Sequence, residues 1–460
     1  MTPRFLRSLL LLLLVASTAG AATFPSGGPH STNNDDSCDI ALLPAATLLL
    51  PYFEVDLTAS AGIGETTLFS VINVTDTEVV AHVTLWTDYG YPVVDFNIFL
   101  TGYDVQSINL YDVIALGQIA PTRGTGFEDS GSPQGAFSSD DANPLVDQTT
   151  CRNLPMQLAS VYRTRMQQAF TLGRVPPFGE SLPGCSTIGG THARAVGYAT
   201  IDVASRCDVF QPEMTQYYEQ ILFENVLTGD YHQVNATELY AQSGPLVHIR
   251  AIPEGGTLAT RTGNVQYSTN LERTFYSRYH RGTNKRLDAR QPLPSIFAAR
   301  WISGGEGDFQ TTYKIWREGI PGSNAGCDTY EVNSDMEVAE IVRFDEDENF
   351  TAFANISPIE HTPRLAAASR VSVSDTDVFP EMEGDAVAGW TYLNLDNNPE
   401  DDIASQAWVV TSMRAAGRFS VDTDVIALGN GCTPPIPFSE ATSVAGEPIG
   451  PAPNQHGQRQ

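Results

Sequence analysis

From Phe69 to Gly90 the chain reads FSVINVTDTEVVAHVTLWTDYG, and its second half alternates apolar and polar positions with a period of two. Val79, Ala81, Val83 and Leu85 fall on one face of an extended strand, and His82 and Thr84 fall on the other with Val80 and Trp86. The pattern predicts a half-buried strand, with Val83 facing a core and Thr84 facing water. The polar break NVTDTE joins this strand to TTLFSVI. After TDYGYP the segment VVDFNIFL alternates again and places Val94, Phe96, Ile98 and Leu100 together. Three successive strands with short turn signals argue for an antiparallel sandwich rather than a parallel sheet.

Similar strand signals recur at VGYATIDVAS (196–205), GPLVHIRAI (244–252), TTYKIWRE (311–318), AEIVRFDEDENFTAFANI (339–356), AGWTYLNLD (388–396) and QAWVVTSM (406–413). One helix is predicted, in LPMQLASVYRTRMQQAFTLG, where Leu158, Val161, Tyr162, Met166, Ala169 and Phe170 keep near-helical spacing before Gly173, Pro176 and Pro177 stop it. Turn-rich stretches on both sides place this helix in an insertion over about 118–195. The motif DVIALG occurs at Asp112–Gly117 and again at Asp424–Gly429, with strand-like segments upstream of each. The echo argues for two related sandwiches. PEGGTLATRTG supplies a linker near Gly255–Gly263. The expected fold is all-β: two antiparallel, immunoglobulin-like β-sandwich domains over 38–258 and 259–432, the first carrying a small helical and loop insertion.

The ends and the cysteines set the compartment. MTPRFLRS carries two arginines, LLLLLLVAS is a short apolar run and AGAA offers small residues for cleavage, so 1–22 reads as a secretory signal peptide. A flexible mature N-terminus (23–37) and a disordered C-terminal tail (433–460) complete the layout. The apolar run is too short to span a bilayer, and no later segment approaches the roughly 18 residues a membrane helix needs. Export to the periplasm or the extracellular space follows. Six cysteines, Cys38, Cys151, Cys185, Cys207, Cys327 and Cys432, then read as three disulfides. Their separations suggest Cys185 with Cys207, Cys38 with Cys151 and Cys327 with Cys432.

Charge narrows the partners. Lys plus Arg number 26 against 54 Asp plus Glu, a net charge of -28, and phosphate backbones and anionic membranes repel such a chain. Nucleic acid is therefore excluded as a general partner. Lysine occurs only at 285 and 314, an arginine bias that fits a GC-rich bacterial genome.

The search for chemistry is mostly negative. The chain has no GxSxG elbow, HExxH, P-loop or GxGxxG, and Ser186 in GCSTIG lacks glycines at the spacing of a nucleophile turn. His82 and His248 sit in strands; His192 and His280, in loops, are better candidates for a base. Asp345, Asp347 and Asn349 offer oxygen ligands at alternating positions, as a structural calcium ion needs, but Phe350 stands where a turn glycine belongs and Ile356 where a bidentate glutamate would close the loop. A solvated acidic turn is the preferred reading and calcium the alternative; no other cofactor is expected. One segment departs from acidity: ERTFYSRYHRGTNKRLDAR interleaves Arg273, Arg278, Arg281, Lys285, Arg286 and Arg290 with Phe275, Tyr276 and Tyr279. Arg273, Arg278, Tyr279, Arg281 and Arg286 form the candidate binding site for an anionic glycan or an acidic protein loop. The competing reading makes these arginines counter-charges for the protein's own carboxylates.

The order of a strand, NVTD, a strand ending TDYG and then VVDFNIFL resembles immunoglobulin-like modules of bacterial secreted and surface proteins. NVLTGDYHQVNATELYAQSGPLVHIRA, FAARWISGG and YKIWREG resemble segments of uncharacterised bacterial exported proteins. The resemblance implies no activity and transfers no catalytic residue. The sequence thus points away from an enzyme and toward an exported β-sandwich protein in adhesion, matrix or envelope interaction, with a glycan or a surface protein as partner. The alternative is a secreted carbohydrate-binding or carbohydrate-hydrolysing protein, resting on Trp301, Trp316, Trp390 and Trp408 and on plentiful carboxylates.

Overall fold

A computed structural model describes residues 39–119, 135–137, 156–177, 184–207, 215–251, 274–276, 288–318, 336–353, 362–382, 386–396, 405–415 and 418–429, with the single residues 209, 212, 384 and 431. The expected signal peptide, linker and tail lie outside them. Antiparallel sheet dominates, as the alternation predicts. The main strands of the first half are β1 (Thr47–Val55), β2 (Thr66–Asn73), β3 (Val79–Thr87), β4 (Pro92–Leu100), β5 (Val105–Asn109), β6 (Ala195–Ala204), β7 (Leu227–Asn235), β8 (Tyr240–Pro245) and β9 (Val247–Ile249). The second half has β10 (Ile296–Ile302), β11 (Phe309–Arg317), β12 (Glu340–Asp345), β13 (Phe350–Ala352), β14 (Ala368–Ser372), β15 (Ala388–Asn394), β16 (Ala407–Ala415), β17 (Phe419–Thr423) and β18 (Val425–Ala427).

In the first half a large sheet of order β9-β1-β6-β3-β4, extended past β4 by Gly135–Phe137, and a small sheet of order β8-β7-β2-β5 enclose one core. In the second half the orders are β18-β10-β15-β12-β13 and β17-β16-β11-β14, again around one core. Adding nine to each main strand of the first half gives the second. The match extends to side chains. Phe53 lies opposite Gly197, and Trp301 opposite Gly389. Trp86 stacks on Tyr198 at 5.7 Å, and Phe344 on Trp390 at 4.2 Å. Thr67 Oγ1 accepts from the Glu54 N–H at 3.1 Å and donates to its carbonyl at 3.2 Å; Thr311 Oγ1 does the same for Ile302, at 2.9 and 2.8 Å. Glycine is required at both crossing points, because a Cβ would meet Trp86 O at 2.1 Å and Phe344 O at 1.8 Å. One difference is a bulge in β1 between Leu50 and Phe53.

The DVIALG echo is not the trace of this repeat. Asp112–Leu116 forms a π-helical turn after β5, whereas Val425–Ala427 is the edge strand β18. Pairing of Phe69 with Ile108 and of Tyr313 with Val371 makes Asp375, not Asp424, the counterpart of Asp112. The predicted helix forms as α1 (Ser160–Leu172) and ends at Gly173. Its Met166 and Phe170 enter the first core, and Phe170 meets Phe53 edge-on at 5.4 Å. This helix is part of the core as well as of the predicted insertion.

The half-buried reading of β3 is corrected. Thr84, His82 and Trp86 are as buried as Val83, because the outer face of the large sheet is covered too. Near Val80 the cover comes from α2 (Thr215–Gln220) and its surroundings, and near Trp86 from the second half. The polar positions answer one another rather than water: Trp86 Nε1 donates to Thr200 Oγ1 at 2.9 Å, and His82 Nδ1 lies 2.9 Å from Asn97 Oδ1. Nor is β2 the sheet neighbour of β3; the NVTDTE loop carries the chain from the small sheet to the large one.

Candidate functional site

The two halves meet where the small sheet of the second packs on the large sheet of the first. Trp316, Ala367 and Ala368 join Leu49, Trp86 and Tyr198 in one buried cluster, with Tyr198 and Trp316 edge to face at 6.1 Å. Alternation along β11 turns Tyr313 and Ile315 into their own core. The same alternation sends Lys314 and Trp316 toward the first half.

Lys314 is buried there. Its ammonium donates to Tyr240 Oη at 2.8 Å and to the side-chain carbonyls of Gln233 and Gln242. Beside it Arg370, from β14, donates to Glu54 Oε2 at 2.7 Å. Arg194 donates to Glu54 Oε1 at 2.8 Å and pairs with Glu65. Glu238 continues the chain, 3.4 Å from Arg194 and 2.9 Å from Arg414. Three guanidiniums and the Lys314 ammonium thus face Glu54, Glu65, Glu238 and Asp422, the last also acting on Lys314. Burial pushes the Glu54 carboxyl up, but Arg370 and Arg194 outweigh it and hold the group below its usual value. Burial and the neighbouring Glu54 push the Glu65 carboxyl up. Burial, helped by Arg370 and opposed by Glu65 and Glu54, brings the Lys314 ammonium down to about 7. An edge contact closes the joint: Ser420 Oγ and Asp422 Oδ2 each accept, at 2.9 Å, from the amides of Ala241 and Ser243 on the open edge of β8.

The basic segment divides differently. Arg273, Arg278, Tyr279, Arg281 and Arg286 lie outside the described residues, as does His280. Both described ends of the segment are buried. Arg290, fully buried, pairs with Asp288 at 2.9 Å and Asp202 at 3.1 Å, and its guanidinium lies 5.1 to 5.5 Å from the rings of Phe275, Tyr217 and Tyr276. Arg290 is therefore an internal counter-charge.

Asp345, Asp347 and Asn349 form the turn between β12 and β13. There Asp345 accepts from the Asn349 side chain at 2.8 Å and from the Asn349 and Asp347 amides, each at 2.9 Å. The Asn349 side-chain amide foremost, and then these backbone amides, hold its carboxyl low. Among the described residues no three His, Cys, Asp or Glu side chains gather as a metal site. His192 lies 2.8 Å from Asp88 Oδ2, and Asp88 also accepts from the Gly190 amide at 3.0 Å. The Asp88 hydrogen bond raises the imidazole's pKa, and the pair clamps the loop before β6. Trp301 and Trp316 are buried, while Trp390 and Trp408 are part-exposed.

Neither Cys185 nor Cys207 is a free thiol. The bridge expected between them does not fit. Cys185 lies in the Arg174–Val175/Cys185–Ser186 ribbon, whose following Ile188 is bonded by Thr87 at one end of β3. Cys207 follows the far end of β6, where its carbonyl accepts from Asn97. Roughly 20 Å of strand separates these ends, against the roughly 7 Å limit between bridged Cα atoms. The other four cysteines lie outside the described residues.

The joint was missed in the sequence although Lys314 signals it: one of two lysines in the chain, it sits between Tyr313 and Ile315 in mid-strand. Among the described residues no helix is long and apolar enough to cross a membrane. Comparison with known proteins finds no matching family model, no matching curated protein and no matching solved structure.

Proposed function

We propose that this chain is an exported bacterial adhesion, matrix or envelope protein, non-enzymatic, built as two related immunoglobulin-like β-sandwiches fused into one rigid body. The observation that carries the reading is the use of ionisable groups. Lys314, Arg370, Arg194, Glu54 and Glu65 converge on a joint between two halves of the same strand order and engage one another there. Buried ion pairs of this kind give register rather than turnover. Duplication of one sandwich supplies the relation between the halves, and export supplies the oxidising compartment for the cysteines.

The test is a pull-down of the mature protein against envelope and matrix fractions, run beside a glycan array. Saturable capture of a surface protein, with no turnover of arrayed glycans, is the expected result; glycan cleavage would overturn the reading. A carbohydrate-binding role draws on one observation, the part-exposed Trp390 stacked on Phe344. Binding on the array that is lost in Trp390→Ala would favour it.

A further inference from the structure

The repeat lets each surface of one half be compared with the same surface of the other. In the first half the outer face of the large sheet and the mouth beside it are covered by the second half. Val247 and Ile249 are buried in that contact, and Tyr240 and Gln242 close around Lys314. Register gives their counterparts. Leu49 pairs with Val247 as Ala298 pairs with Ile426, so Ile426 matches Val247, and Leu428, two residues on, matches Ile249. Asn235 pairs with Tyr240 as Ala415 pairs with Phe419, so Phe419 and Val421 match Tyr240 and Gln242. All four counterparts are large, apolar and open: Phe419 is 49 %, Val421 48 %, Ile426 63 % and Leu428 49 % exposed. These four edge positions, whose matches the first half buries against a neighbour, are thus apolar and exposed in the second, while Ile296, Val342 and Tyr392 nearer the middle of the face are already buried.

The covering surface has its own counterpart. In the second half it is the outer face of the small sheet, where Trp316 pairs with Ala368. The same places in the first half hold Ile72 and Val105, and Tyr103 stands where Ala366 does. Tyr103 is 66 % and Val105 53 % exposed. Where Lys314 and Arg370 project from the covering face, the first half carries Ser70 and Ser107. Small hydroxyls thus stand where the covering face carries its two charges.

We propose that the exposed β18 edge of the second large sheet, with the mouth beside it, docks a second copy of this chain through the outer face of that copy's first small sheet, repeating between molecules the edge of the contact that joins the halves. The two surfaces differ and lie on different halves of each molecule, so the contact is heterologous and chains can extend head to tail. Exposed apolar patches of this kind mark interaction surfaces.

The test is sedimentation of the full mature chain as concentration rises. Wild type is expected to grow from monomer to dimer and longer species. Ile426→Glu with Leu428→Glu removes the receiving face, and Tyr103→Glu with Val105→Glu removes the docking face; these exposed sites leave the thermal midpoint in place. Each double variant alone is expected to remain monomeric, while their mixture gives a dimer and nothing larger, because only one intact pair of faces remains. A wild type that stays monomeric, variants that assemble like wild type, or a mixture without dimer would overturn the proposal. So would glycan binding that the Ile426/Leu428 variant loses in a chain that never self-associates.

Discussion

Lys314→Met removes the buried ammonium at the joint. In the unfolded chain this ammonium titrates near 10.5, and in the folded one at about 7. The folded pKa is depressed, so between these values the unfolded chain holds a proton that the folded chain has lost, and stability rises with pH across that window. At pH 7 the burial penalty is on the order of 4 kcal/mol, and by pH 10 it falls to about 1 kcal/mol. Methionine fills a similar volume and carries no proton, but it forfeits the bonds to Tyr240, Gln233 and Gln242, each worth about 1 kcal/mol. The variant should therefore be more stable than wild type by about 1 kcal/mol at pH 7 and less stable by about 2 kcal/mol at pH 10. Urea titrations at half-unit pH steps, followed by the fluorescence of Trp86 and Trp316, read the difference. Titrating groups away from the joint are common to both proteins and cancel; Glu65 and Asp422, whose carboxyls the Lys314 ammonium draws down, respond to its loss. A difference independent of pH from 7 to 10 would refute the reasoning and would mean that Glu54 and Glu65 keep Lys314 charged.

Val83→Asp and Thr84→Asp should both destabilise the first half by roughly 3 kcal/mol or more, since each buries an unpaired charge; tolerance of Thr84→Asp in chemical denaturation would return that face of β3 to water. Gly197→Ala and Gly389→Ala should each cost about 1 to 3 kcal/mol through the clash with a neighbouring strand carbonyl, and equal losses in melting experiments would support the matched roles of the two glycines. Arg290→Met should cost about 3 to 5 kcal/mol by leaving Asp202 and Asp288 without their partner, which a denaturation midpoint shift would report.

Most strand positions were legible, and the reasons are local. VVAHVTLWT and QAWVVTSM carry the alternation of an extended chain, and the helix was legible because Met166 and Phe170 recur at helical spacing and Gly173 follows. TLLLPYFEV gave no alternating signal because every residue of β1 is buried, and a strand without a wet face has no polar phase to show. The same physics misled the reading of β3. His82 and Thr84 look like a solvent face, yet hydrogen-bonded polar side chains can line a buried face when a second layer covers it. The repeat was expected on the wrong evidence: DVIALG adopts two different structures, whereas the shared features, Gly197 with Tyr198 and Gly389 with Trp390, lie in segments of little overall similarity. At the joint only Lys314 leaves a trace in the sequence; its companions Glu54, Arg194 and Arg370 are illegible because only tertiary packing brings them together.

Scanning calorimetry of the full chain tests most directly whether the two halves form one body. A buried joint of aromatic rings and ion pairs should couple them, giving a single transition whose calorimetric and van't Hoff enthalpies agree. Two separate transitions, or one whose calorimetric enthalpy is about twice the van't Hoff value, would contradict the account and leave two sandwiches that merely touch.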